Sequence, residues 1–252
     1  MGINIAVAGK GGTGKTTISA LLVRNLIKKK NGSVLALDAD PNSNLNELLG
    51  VKISNTVGQL VENFKKNGAI ISSGIYKDQM VEMNIHQSII EGNGFDLLIM
   101  GRGEGPGCYC AANNLFKKYI DVLQDSYDYI VMDNEAGMEH LSRKTTHNVK
   151  YLLIISDPSL RGILTAARLR DLSKELQINV EKVFLILNRV NDELDDRLLK
   201  YIKEQKFEIL GTIYTDKNII DLELSGKPIF ELPDNSVSVS QVNNILKSLG
   251  VT

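Results

Sequence analysis

The sequence predicts an α/β fold, a mainly parallel β-sheet with helices on both faces, and three observations carry that expectation. Short apolar runs recur from end to end: INIAVAG, SVLALDAD, FDLLIMG, YDYIVMDN, YLLIISDP, VEKVFLILN and FEILGTIY. Such runs read as strands buried on two faces. Helix-like segments lie between most of them: Lys15 to Lys30, Asn114 to Gln124, Glu139 to Asn148, Leu160 to Leu176 and Asp192 to Glu204. Strand–helix–strand repetition implies parallel strands joined by helical crossovers. Finally, 252 residues at 43% hydrophobic composition can bury one substantial core, and no linker, repeat or low-complexity stretch divides them. Residues 1–252 are therefore read as one domain. Val51 to Gly94 and Asp216 to Thr252 are less regular and are left without assigned elements.

Composition narrows the partners. Lys plus Arg (29) nearly balances Asp plus Glu (30), which argues against a protein held on nucleic acid by bulk charge. The clearest basic run, Lys28 to Lys30, suits the end of a helix, where cations meet the dipole. No run of about 18 apolar residues occurs, and SVSQVNNILKSLGVT has one lysine and no aromatic residue, so neither a spanning nor a basic surface-binding helix is expected. The N-terminus lacks the pattern of a secretion signal, and two cysteines make no disulfide framework. A cytoplasmic protein is expected, with no nucleic-acid and no membrane partner.

In a parallel sheet, ligands sit at the carboxyl ends of the strands. Gly9 to Thr16, GKGGTGKT, fits G-x-x-x-x-G-K-[ST] between a predicted strand and a predicted helix. Glycines allow backbone N–H groups to curl around phosphate oxygens, and the helix start adds a positive dipole end. Gly9, Lys10, Gly11, Gly12, Thr13, Gly14, Lys15, Thr16 and Thr17 are thus candidates to bind ATP. Lys15 would reach the β- and γ-phosphates and Thr16 would ligate Mg²⁺. Lys10 stands too near the loop's start to curl back easily on its own nucleotide. It is either a surface charge or a phosphate contact supplied to a facing subunit.

K-G-G-T-G-K-T-T resembles the deviant Walker A loop of the ATPases that include the nitrogenase iron protein and the septum-site and chromosome-partitioning ATPases. The resemblance spans nearly the whole chain. It implies a single P-loop ATPase domain, a nucleotide-sandwich homodimer and a catalytic Lys10 acting across it beside Lys15. In LALDADP it implies that Asp40 orients or activates the attacking water and that Asp38 supports Mg²⁺. In YIVMDNEAG it implies that Asp133 holds Mg²⁺ and that Gly137 lends a switch its mobility. Each aspartate is also the residue type that caps helices and turns. Asn188 of LILNRV falls where the family places an adenine-reading asparagine. The usual proline after the next strand is absent from GTIYTD, which leaves the far side of that pocket unassigned.

The two cysteines, Cys108 and Cys110 of GPGCYC, follow the strand FDLLIMG in what reads as a Gly-rich loop at the same sheet edge. In an extended segment their Cα atoms lie about 6.6 Å apart with side chains on opposite faces, so a disulfide between them is strained. A closed thiolate site wants four ligands. If two chains face each other across their nucleotides, two Cys-x-Cys segments can meet on the two-fold axis and supply them. Such a set suits Zn²⁺, Ni²⁺ or Cu⁺. A site within one chain, completed by His86, His140 or His147, lacks ligand spacing and ranks lower.

GPGCYC together with DNEAGMEHLSR resembles the CooC-type maturation ATPases, which assist nickel insertion into carbon monoxide dehydrogenase, with close relatives serving acetyl-CoA synthase. The resemblance implies an ATP-dependent metallochaperone that dimerises on ATP or metal binding and meets one of those nickel enzymes. Asn134, Glu135 and Ala136 stand where the iron protein has its second cysteine, so an iron–sulfur cluster of that type is not expected.

Overall fold

A computed structural model describes residues 2–29, 32–66, 87–102, 108–135, 149–176 and 178–251, with residues 61, 64–66 and 108–113 described by their backbone alone. The strands are β1 (Ile3–Gly9), β2 (Val34–Asp38), β3 (Ile89–Glu91), β4 (Asp96–Ile99), β5 (Tyr129–Asp133), β6 (Val149–Ser156), β7 (Val180–Val190) and β8 (Ile209–Tyr214). They form one eight-stranded sheet in the order β3-β4-β2-β5-β1-β6-β7-β8. Among the described residues, only the β3–β4 pairing is antiparallel. All seven apolar runs are strands.

The double burial inferred from those runs is visible residue by residue. Ile5 and Val7 of β1 face one core with α1 (Lys15–Lys29) and α8 (Val237–Ser248), while Ala6 and Ala8 face another. In β6, Tyr151, Leu153 and Ile155 join the first core, and Leu152 and Ile154 the second. That second core packs against α5 (Leu160–Glu175) and α6 (Asp196–Glu204). Further along the same face, Leu35, Leu37, Ile130 and Met132 pack against Phe116, Tyr119 and Ile120 of α4 (Cys108–Leu123). Helices thus cover both faces, and the strands' polar ends emerge at one edge.

Three boundaries depart from the sequence reading. The segment Val51 to Gly94 contains α3 (Val57–Lys66) and the edge strand β3, after α2 (Leu45–Leu49). The C-terminal region forms α7 (Lys217–Leu224), a 3₁₀ turn at Ile229–Glu231 and α8. Val239, Val242, Ile245 and Leu246 of α8 are buried against the sheet, a tertiary gain that overrides the weak helix propensity of Val, Ser and Asn. The helix read from Asn114 begins at Cys108 instead, so both cysteines lie in a helical first turn and not in a loop. Ala111 and Ala112, strong helix formers, carry the helix back toward them. The helix expected at Glu139 to Asn148 lies outside the described residues. No helix among the described residues is long and apolar enough to cross a membrane.

Candidate functional site

β1 ends at Gly9, whose φ of 155° leaves no room for a side chain: a Cβ there would lie 2.4 Å from the Ile155 carbonyl oxygen. The chain then turns over Lys10, whose carbonyl accepts from the Thr13 amide at 3.4 Å and the Thr13 hydroxyl at 2.8 Å. The Lys15 ammonium donates to the same carbonyl at 3.4 Å, folding back over the loop. The Lys10 side chain is exposed. Gly14, at φ 89°, lies so close to Asn188 that a Cβ would be 2.4 Å from its amide nitrogen. That amide donates to the Thr13 carbonyl at 2.7 Å, tying the end of β7 to the loop.

The three aspartates converge on this loop. Asp133 of β5 is register partner to both Val7 of β1 and Asp38 of β2. It accepts from the Ser19 hydroxyl at 3.0 Å and bonds to the Thr16 hydroxyl. Thr16 and Ser19, three residues apart, share a face of α1, so that helix presents two hydroxyls to one carboxylate. Burial pushes the Asp133 carboxyl up to about 6, against the lowering effect of both hydroxyls and of Lys15. Asp38 is fully buried and accepts from the Asp40 amide and the Leu45 amide, each at 3.0 Å. Burial and then the neighbouring Asp133 charge raise it to about 7. Asp38 is therefore a turn-fastening residue as well as a candidate Mg²⁺ support, since both its oxygens already serve backbone donors. Asp40, less buried, accepts from the Asn42 amide at 2.8 Å. Desolvation lowers the Lys15 ammonium, and Asp133, Asp40 and Glu135 pull it back up.

Two buried carboxyls, a third at the rim and two hydroxyls are hard oxygen groups, and one buried ammonium offsets part of their negative charge. That is donor chemistry suited to Mg²⁺. Thr16 and Asp133 would hold the ion, with Asp38 behind. It would neutralise charge on phosphate oxygens, which Lys15 and the loop amides would bind.

Beside the loop a cavity of about 210 Å³ opens between α1 and the ends of β7 and β8, lined in part by Gly14, Ile18, Asn188, Arg189, Ile213, Tyr214, Asp216 and Ile219. An apolar slot with a few polar groups is what a nucleotide base requires. Asn188 spends its amide N–H on Thr13, which leaves its oxygen as the acceptor an adenine amino group would use. Residues Tyr214 to Asp216 supply the wall for which GTIYTD showed no proline.

Some contributors were not singled out in the sequence. Arg189, at φ 58° on the irregularity between β7 and β8, donates to the Gly12 carbonyl at 2.9 Å. Glu223 of α7 accepts from Thr17 at 3.2 Å at the slot's mouth. Neither follows from a motif, though the Thr16–Ser19 spacing was available to find Ser19. Asn134, which carries the chain out of β5, is buried and donates to the Val7 carbonyl at 2.9 Å. Cys108 and Cys110 begin α4, the element after β4, whose neighbour is β2. Their side chains, Gly137 and the three histidines lie outside what the structure describes. Among the described residues no group of three or more His, Cys, Asp or Glu side chains is placed to hold a metal ion, so Mg²⁺ would take its remaining ligands from phosphate and water.

Comparison with known proteins agrees with this geometry. Residues 5–229 match the CobQ/CobB/MinD/ParA nucleotide binding domain. The chain belongs to this family. An uncharacterized ATP-binding protein of Methanocaldococcus jannaschii is 40% identical over 247 residues, covering 97% of both chains. The carbon monoxide dehydrogenase accessory protein CooC of Rhodospirillum rubrum is 30% identical over 244 residues, covering 91% of this chain and 90% of that protein. Among solved structures, the cell division ATPase MinD of Pyrococcus furiosus superposes with a TM-score of 0.73 at 20% identity, covering 99% of each chain. The septum site-determining protein MinD of Pyrococcus horikoshii, solved with Mg-ADP, gives 0.72 at 20% identity, covering 99% of this chain and 96% of that one. Within the CobQ/CobB/MinD/ParA family, the Gly9–Thr16 loop, the β2 and β5 aspartates and the slot beside Asn188 constitute this chain's candidate nucleotide site.

Proposed function

We propose that the chain is an ATP-hydrolysing maturation ATPase that helps insert nickel into carbon monoxide dehydrogenase or acetyl-CoA synthase. The observation that carries this reading is Cys108-x-Cys110 opening the helix after β4, at the edge where the phosphate loop and the aspartates emerge. The similarity to CooC over nine-tenths of both chains supports it. ATP and Mg²⁺ would occupy the loop and the Thr16–Asp133 donors, with Asp40 orienting the attacking water. Lys10, exposed on the rim, would complete the site of a facing copy. Closure of two copies would bring four thiolates together and give Ni²⁺ or Zn²⁺ a shared site, the metal being cargo. The protein would act in the cytoplasm.

The test supplies nickel-free carbon monoxide dehydrogenase or acetyl-CoA synthase with Ni²⁺, ATP and this protein, and follows recovery of enzyme activity. ATP-dependent recovery, lost in a C108S/C110S variant, is expected. Recovery that is equal without ATP, or absent with both target enzymes, overturns the reading in favour of a partitioning-type switch or a metal-binding dimer without turnover.

A further inference from the structure

The wall of the base slot is fastened from behind by a buried carboxylate. Asp216 ends the segment after β8, and its Oδ1 accepts from the Asn218 amide at 3.0 Å, capping α7. Its Oδ2 accepts from the Ser238 amide at 3.0 Å, from the Ser238 hydroxyl at 2.7 Å and from the Ser236 hydroxyl. Both serines are buried, where α8 begins. The stretch leading into them is held on its other side by α1. Arg24, fully buried, donates to the Leu232 carbonyl and to Asp234, both at 2.7 Å, and Asn25 donates to the Val239 carbonyl at 3.0 Å. Residues 232–239 are therefore a strap, bonded to the helix that carries the phosphate loop and to the strand end that walls the slot.

We propose that Asp216 is a positioning residue for base recognition: through Ser236 and Ser238 it fixes the 214–216 turn relative to the phosphate loop, so that base and phosphates are bound as one ligand. The inference rests on reading the cavity beside Asn188 as the base site. A carboxylate is needed because backbone donors address both of its oxygens. An amide of the same shape has one acceptor, so it must turn an N–H toward either Asn218 or Ser238. Burial raises the Asp216 carboxyl, but the bonds from Ser236, Ser238 and Asn218 outweigh it, leaving the group below its ordinary range and ionised at neutral pH. The same fastening explains how GTIYTD can hold the turn without proline: side-chain bonds do what a ring-locked φ would otherwise do.

The experiment compares binding of Mg-ATP with binding of magnesium tripolyphosphate, which has the phosphates and no base or ribose, by titration calorimetry. In D216N, ATP affinity is expected to fall about tenfold or more, the scale of one lost hydrogen bond to a charged group, while tripolyphosphate affinity stays within about twofold. The S236A/S238A variant keeps the carboxylate and both backbone donors; it should show the same selective loss at smaller size, and it carries the test if D216N fails to fold. Parallel loss of both ligands, or undiminished ATP affinity, overturns the positioning role while leaving the slot assignment standing. Equal affinity of the wild type for ATP and tripolyphosphate overturns the slot assignment itself, and the proposal with it.

Discussion

Asp38 and Asp133 are register partners at the carboxyl ends of adjacent parallel strands, and both carboxyls are buried with their proton affinity raised, to about 7 and about 6. Burial is the main cause for each, and for Asp38 the neighbouring Asp133 charge comes next. Between their ordinary value of 3.8 and these raised values the folded protein holds more protons than the unfolded chain. Their contribution to stability is thus fully present below about pH 4 and is lost as pH climbs through 6 to 7.

The ligand-free protein should therefore lose part of its thermal stability between pH 5 and pH 8. D133N removes one member of the pair, and its hydroxyl partners on Thr16 and Ser19 can rotate to suit an amide. That variant should gain on the order of 1–3 kcal/mol at pH 8, and about half as much at pH 5. Its Mg²⁺-dependent ATP binding should collapse. Melting curves at the two pH values check the first part, and a D133N protein no more stable than wild type at pH 8 would refute it. Because the carboxylates must be ionised to hold a cation, Mg-ATP binding should also tighten from pH 5.5 to 8 and release protons.

Gly14 tests the coupling of the loop to Asn188. With φ at 89° and a Cβ position 2.4 Å from the Asn188 amide, Gly14→Ala must shift the loop or break the Asn188–Thr13 bond. A stability loss of about 1–3 kcal/mol and loss of ATP binding are expected, measured by denaturant unfolding and calorimetry. Gly12→Ala is the control, since its Cβ would meet nothing within 4 Å. It should cost only the strain of a left-handed backbone, about 1 kcal/mol.

The two lysines of the loop should separate. Lys15 is buried and bonded within the loop, so Lys15→Ala should abolish phosphate binding. Lys10 is exposed, so Lys10→Ala should bind ATP nearly normally but lose hydrolysis and nucleotide-driven dimerisation. Asp40→Asn should leave an ATP-loaded dimer that turns over slowly. Light scattering and phosphate release distinguish these outcomes. A Lys10 variant that dimerises and hydrolyses normally would dismiss the role in trans.

Much of this arrangement was legible because its signals are local. Two-sided burial leaves near-continuous apolar runs, and INIAVAG or YLLIISDP can hardly be anything but central strands. The phosphate loop is equally local, since its glycines and Lys15 lie within one octapeptide. What escaped depends on distant partners. Three residues of β3 exist because β4 offers an edge, and α8 exists because Val239 and Ile245 find the sheet. Arg189 reaches Gly12 across 177 positions and Ser236 reaches Asp216 across 20, distances over which no periodicity speaks. The start of α4 was misplaced because glycine and proline ahead of Cys108 suggested a loop that the two alanines after it curtail.

The number of cysteines sets the stoichiometry expected of the metal. Cys108 and Cys110 are the chain's two cysteines, so one chain supplies at most two thiolates. A four-coordinate thiolate site then needs two chains, and one metal per dimer is expected, with Zn–S distances of about 2.3 Å if zinc occupies it. C108S/C110S should lose that metal and keep ATP binding, because the phosphate loop belongs to β1 and α1. Metal and nucleotide should still be coupled: a ligand that favours the closed dimer changes metal affinity, and metal must change nucleotide affinity by the same factor. Titrating Zn²⁺ or Ni²⁺ with and without a non-hydrolysable ATP analogue measures that factor. Equal affinities in the two titrations, or one tightly held metal per monomer, would exclude a shared site.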